Sequence, residues 1–98
     1  MVKRFMVYEV QVDHVQKACV VLSPDELNNV LPYVMVAPIT TKIRPLPYRV
    51  MIEMKGKDAQ IALDQIRTRP KSDFLRKLGR LPEPCQEEIS HVLRQMFE

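Results

Sequence analysis

The apolar positions of this chain change period several times, and each change marks an element. Residues 5–12 (FMVYEVQV) alternate, with Met6, Tyr8, Val10 and Val12 on one face and Glu9 and Gln11 on the other, the pattern of a half-buried strand. Residues 18–22 (ACVVL) are a short continuous apolar run, which predicts a core strand. Ser23-Pro24-Asp25-Glu26 reads as a helix start: Ser23 caps, Pro24 suits the first helical position, and Glu26 completes a capping box. Asn28-Asn29 ends this helix after one or two turns. Residues 33–39 (YVMVAPI) predict another strand, in which Pro38 implies a bulge or an edge. The two prolines of 41–47 predict a loop, and 48–54 alternate again with Tyr48, Val50, Ile52 and Met54 on one face. Lys55-Gly56-Lys57-Asp58 reads as a hairpin turn. It leads into a strand over 59–66, where Ala62 and Asp64 point one way and Leu63 and Gln65 the other. Pro70 opens a short predicted helix over 71–78, closed by Gly79 at the position after its last turn. In 84–97 the period becomes helical: Ile89, Val92, Leu93, Met96 and Phe97 form one apolar stripe, with Pro84 near the start.

About five strands with helices inserted late predict a mainly β fold, a small antiparallel barrel or twisted sheet capped by a C-terminal helix. The 98 residues fit a single domain, 1–98. Composition narrows the chemistry. Gly56 and Gly79 are the only glycines, too few for a Gly-rich phosphate loop of either nucleotide-binding type. Cys19 and Cys85 stand far apart, which excludes a disulfide framework and a cysteine-rich zinc site and suggests a reducing, cytoplasmic setting. His14 and His91 form no metal-ligand spacing, so no metal or cofactor is expected. No apolar run reaches membrane-span length and the N-terminus has no signal-peptide core, so no membrane association is expected.

Charge adds one feature. The chain carries 15 Lys/Arg against 12 Asp/Glu. Residues 66–80 (IRTRPKSDFLRKLGR) concentrate six basic residues against one acidic, whereas 81–98 are net acidic. A dense basic run is ordinarily a solvated face; here it is also a candidate polyanion site.

Four segments in order, CVVLSP (19–24), VAPITT (36–41), LDQIRT (63–68) and LGRL (78–81), resemble the MazF/PemK toxin family, as does the opening VKRFMVYEVQVD. The resemblance covers essentially the whole chain. It implies an SH3-like barrel of the MazF/PemK/CcdB kind and a homodimer. The implied activity is that of a toxin in a type II toxin–antitoxin system, a sequence-specific, metal-independent endoribonuclease of single-stranded mRNA held in check by a MazE/PemI-type antitoxin. The terminal helix and the VMVAPI strand are the implied dimer elements. The family's longer loop after the first strand, of the form DPTxGSExxxxxRP, is absent. Asp13 is followed only by His14-Val15-Gln16-Lys17 before Ala18-Cys19, so the family's catalytic arginine has no counterpart and Lys17 is the nearest cation.

Metal-free RNA cleavage requires a base for the 2′-OH, a donor or cation for the charged phosphorane and an acid for the departing 5′-oxygen. It gives 2′,3′-cyclic phosphate and 5′-OH ends. By the resemblance Thr40 donates to a phosphate oxygen, Asp64 takes part in proton transfer or substrate contact, and Lys17 stands in for the missing arginine. Gln65, Arg67, Arg69, Lys42 and Arg44 are the expected RNA contacts. Each has a plainer alternative: Thr40 bonded to backbone, Asp64 paired with Arg67 or another cation, and the basic residues as surface charge. His14 is a minor candidate acid, and His91 reads as a boundary or interface residue. An ammonium lacks the rigid fork of a guanidinium, which predicts weak or absent cleavage. The competing readings are a family member that only binds RNA or antitoxin, and a CcdB-like gyrase poison.

Overall fold

The computed structural model describes residues 2–98. Strands β1 (Met6–Val12) and β2 (Val15–Val21) form a hairpin in continuous register from Val7 opposite Val20 to Val12 opposite Val15. Asp13 and His14 close it with φ of +48° and +68°. Two consecutive left-handed residues are the backbone of the tight turn whose twist matches paired strands. The short connection is therefore a complete two-residue hairpin turn.

The ACVVL run is apolar throughout because the sheet is buried on both faces there. Val20 and Leu22 join one cluster with Val7, Ala37, Val50, Ile61, Leu63, Leu81 and Ile89. Cys19 and Val21 join another with Tyr8, Val10, Val12, Val34 and Val36. Helix α1 (Asp25–Asn28) follows. The expected Ser23–Glu26 capping box does not form: Pro24 occupies the cap position without a side-chain cap bond. Ser23 is buried instead. Its hydroxyl donates to Asn28 Oδ1 (2.6 Å) and accepts from the Met35 amide (3.1 Å), while Asn28 Nδ2 donates to the Ser23 carbonyl (2.9 Å). A buried hydroxyl is drawn to the partners that satisfy it within the core.

Strand β3 (Tyr33–Thr40) is the centre of the sheet. One edge pairs with β2, opposing Pro38 to Cys19. Its other edge is shared. Residues 33–36 pair with β6 (Arg67–Pro70) and residues 39–40 with β5 (Lys57–Ala62). Pro38 thus lies in the interior of the sheet, at the gap where one neighbour gives way to the next and a missing N–H is tolerated. Strand β4 (Arg49–Met54) joins β5 through a two-residue turn at Lys55-Gly56, φ +52° and +77°. Tyr48 falls outside β4, exposed and with φ +62°. The expected strand over 59–66 ends at Ala62, where a 3-10 turn over Leu63–Gln65 takes over, so the alternation drawn for Asp64 and Gln65 does not apply.

The expected helix over 71–78 is a strand. After a 3-10 turn (Lys71–Asp73), β7 (Phe74–Arg80) pairs antiparallel with β1, with two register shifts. The Leu/Lys/Arg content favours helix locally, but a two-turn helix is marginal alone and pairing with β1 overrides it. Phe74 packs edge-on against Tyr8, ring centroids 5.2 Å apart. Gly79, expected after a helix end, lies within β7 opposite Val7 at a bulge, with φ +154°. The strand order is β4-β5-β3-β2-β1-β7, with β6 beside β3: seven strands in a curled antiparallel half-barrel rather than five. Helix α2 (Glu83–Met96) carries fully buried Ile89 into the first cluster, with Val92, Leu93 and Met96 partly buried against it. Phe97, counted in the stripe, lies just past the helix end and is 76% exposed.

Candidate active-site cleft

A cleft of about 530 Å³ opens where the ends of β2, β3 and β4 meet the 3-10 turn after β5. Six of the eight residues picked from the sequence line it: Lys17, Thr40, Lys42, Arg44, Asp64 and Gln65. Arg49, which the sequence reading passed over, lines it as well. Four cationic side chains thus face one carboxylate, Asp64, across a single opening. That set attracts an anion.

Thr40 ends β3, and its hydroxyl accepts a hydrogen bond from the Lys42 amide (3.1 Å). The backbone role foreseen for it is real, but it uses the oxygen as acceptor and leaves the O–H free to donate. Asp64 pairs with Arg49 and not with Arg67. Arg49 Nε donates to Oδ1 at 2.6 Å and Nη2 to Oδ2 at 3.2 Å. This fork holds the Asp64 carboxyl below its ordinary range, and it is ionised at neutral pH. Arg49 is the first residue of β4, directly opposite Ala62, and its side chain is 4% exposed. Its Nη1 donates to Gln60 Oε1 (3.2 Å). Gln60, buried on β5, also accepts from the Arg44 amide (3.1 Å) and donates to the Arg44 carbonyl (2.9 Å). One amide side chain therefore ties the 41–48 loop, with Lys42 and Arg44, to the guanidinium of Arg49.

Arg67 and Arg69 lie on β6 and do not line the cleft. Arg67 pairs with Asp13 at the β1–β2 turn (3.5 Å). Arg69 pairs with Asp73 and donates to the Gln11 carbonyl (3.3 Å). Arg76 meets Glu9 at 3.6 Å, so half of the basic run is ion-paired along the sheet. His14 is an exposed turn residue and His91 an exposed residue of α2. Burial pushes the Cys19 thiol up to about 11, which marks it as an unreactive core residue. Among the described residues no helix is long and apolar enough to cross a membrane, and no three His, Cys, Asp or Glu side chains cluster to share a metal.

A curled antiparallel half-barrel closed by a C-terminal helix is the fold of the MazF toxins. The chain belongs to the family of PemK-like, MazF-like toxins of type II toxin–antitoxin systems, which matches residues 3–97. Three solved structures are similar to it. The Mycobacterium tuberculosis toxin MazF-mt6 is 23% identical with TM-score 0.83, covering 94% of this chain and 95% of that one. A mycobacterial endoribonuclease in complex with its cognate antitoxin is 22% identical with TM-score 0.86, covering 97% and 93%. The MazE–MazF complex of Deinococcus radiodurans is 18% identical with TM-score 0.81, covering 98% and 95%. No match is found among curated protein sequences.

Proposed function

We propose that this toxin-family chain is a metal-independent endoribonuclease of single-stranded RNA, and that the cleft at the ends of β2, β3 and β4 is its active site. The observation that carries the reading is the assembly of Lys17, Thr40, Lys42, Arg44 and Arg49 around one ionised carboxylate. The 2′-oxygen attacks the adjacent phosphorus and its proton passes to Asp64. The Thr40 hydroxyl donates to a non-bridging oxygen. Lys17 stabilises the phosphorane, while solvent protonates the departing 5′-oxygen and takes the proton back from Asp64. A carboxylate held below its usual range is a weak base, and Lys17 is a point charge where a fork would grip phosphate better. Both features support slow cleavage.

Lys42, Arg44 and Gln65 hold the RNA backbone beside the reacting phosphate, with Arg67 extending the track toward the β1–β2 turn. The solved relative with its cognate antitoxin supports an antitoxin partner, which in this reading is of the MazE/PemI type and competes with RNA for the same opening. In a homodimer, a second copy would meet β3 through its exposed Tyr33 and Met35, because both edges of β3 are already paired.

A long single-stranded RNA incubated with the protein in EDTA tests the reading. The expected products carry 5′-OH ends, and 2′-deoxy substitution at the cut nucleotide abolishes scission. Intact RNA at high protein concentration would refute it. A second reading, a member that binds RNA or antitoxin without cutting, is favoured by the tight Asp13–His14 turn, which leaves β2 with no arginine. RNA binding without cleavage is its signature.

A further inference from the structure

Arg49 is the one cleft cation whose side chain is both buried and fixed. Asp64 and Gln60 engage three of its five N–H donors. The remaining two, one on each Nη, meet no acceptor among the described residues. Lys17, Lys42 and Arg44 are exposed and make no ion pair among the described residues. Unmet guanidinium donors lining a cleft with three other cations and a free threonine hydroxyl form a phosphate fork set before a substrate arrives.

We infer that Arg49 supplies, from the start of β4, the two-pronged phosphate contact that β2 lacks, and that Asp64 and Gln60 hold it in place. The inference takes its substrate from the RNA-cleavage reading. Arg49 moves no proton. It donates to the non-bridging oxygens as the O2′–P bond forms and their charge grows, and the charge falls again as the P–O5′ bond breaks. Asp64 keeps the guanidinium plane aligned, and Gln60 fixes it from the opposite side.

Two measurements on the full-length chain test this. One is single-turnover cleavage of a mixed-sequence RNA in EDTA. The other is binding of the same sequence as uncleavable 2′-O-methyl RNA. Arg49→Lys preserves the charge and removes the fork, so it is expected to slow cleavage about 100-fold while weakening binding by less than about fivefold. Gln60→Met unfastens Arg49 and also frees the 41–48 loop that carries Lys42 and Arg44, so it should lower kcat and raise KM together, whereas Arg49→Lys lowers kcat with little change in KM. Should Arg49→Lys cut RNA at close to the wild-type rate, the inference falls while the ribonuclease reading stands.

A wild type that cuts no RNA refutes that reading instead. The phosphate contact is then decided by the Arg49 side-chain NMR resonances of the wild type titrated with a 2′,3′-cyclic nucleotide. A saturable shift supports the contact, and its absence overturns it. The same titration decides the case if Arg49→Lys fails to fold.

Discussion

Replacing Gln60 by Met separates the role of one buried amide from the packing around it. Gln60 is 5% exposed and makes three hydrogen bonds: to the Arg44 carbonyl (2.9 Å), from the Arg44 amide (3.1 Å) and from Arg49 Nη1 (3.2 Å). Methionine is close in length and volume and carries no donor, so the core stays filled and the polar links go. The two Arg44 groups lie in an exposed loop and regain water, so each loss costs about 1 kcal/mol. The bond to a charged, almost fully buried guanidinium is worth about 2 kcal/mol. Burying the more apolar side chain returns about 1 kcal/mol. The net loss is about 3 kcal/mol, which in a domain of this size lowers Tm by about 12–24 °C. Urea unfolding and thermal melts, both at one fixed protein concentration, measure it. Hydrogen exchange at the Arg44 amide reports the loop directly, and its protection should collapse in the same variant. A Tm lower by less than about 4 °C, or unchanged protection at Arg44, would refute the claim that Gln60 anchors this loop.

Three other outcomes follow from named contacts. Lys17→Arg places a planar fork on β2 and should raise RNA cleavage roughly tenfold, with stability within about 0.5 kcal/mol because the position is exposed; an unchanged rate places the substrate phosphate away from β2. Asn28→Ala removes both Asn28 bonds to Ser23 from a site 1% exposed, so urea unfolding should show a loss of about 2–3 kcal/mol; a loss below about 1 kcal/mol contradicts the network. Asp64 is more acidic folded than unfolded, so its stabilising contribution is complete above the unfolded pKa near 4 and is lost as pH falls through the lower folded value; Asp64→Asn should flatten the acid end of the stability curve, and an identical acid slope in the variant contradicts the Arg49 pairing.

Much of the fold was legible wherever one period decided the face. The alternation of 5–12, the continuous run of 18–22 and the helical stripe of 84–97 each became the element they predicted, with ends shifted to 6–12, 15–21 and 83–96. The failures share a cause. In 71–80 the residues suit a short helix, and only the free edge of β1 makes them a strand, a partner some 65 residues away that no local window sees. Gly79 then looked like a helix stop because glycine serves both purposes, a left-handed helix cap and, at the φ of +154° found here, a strand bulge. Ser23 matched a capping box in sequence, yet it is buried, and burial gives its hydroxyl stronger obligations to Asn28 and Met35.

The cleft was legible for a related reason. Lys17, Thr40 and Asp64 lie on or next to strands that neighbour one another, so a motif reading that follows chain order gathers residues that the sheet then brings together. Arg49 escaped it because its parity in β4 is that of Met51 and Glu53, which are exposed, so alternation sends it to solvent. Two features reverse that assignment. Arg49 pairs across the β4–β5 hairpin with Ala62, which is buried and lies two residues before Asp64. The 41–48 loop, anchored on Gln60, then lies over the start of β4. A residue with the parity of a surface charge thereby becomes a buried, ion-paired guanidinium at the floor of the cleft. The hairpin pairing carried the signal in the sequence: a two-residue turn sets Arg49 opposite Ala62 and a four-residue turn sets it opposite Asp64, and either brings the guanidinium to the carboxylate's side.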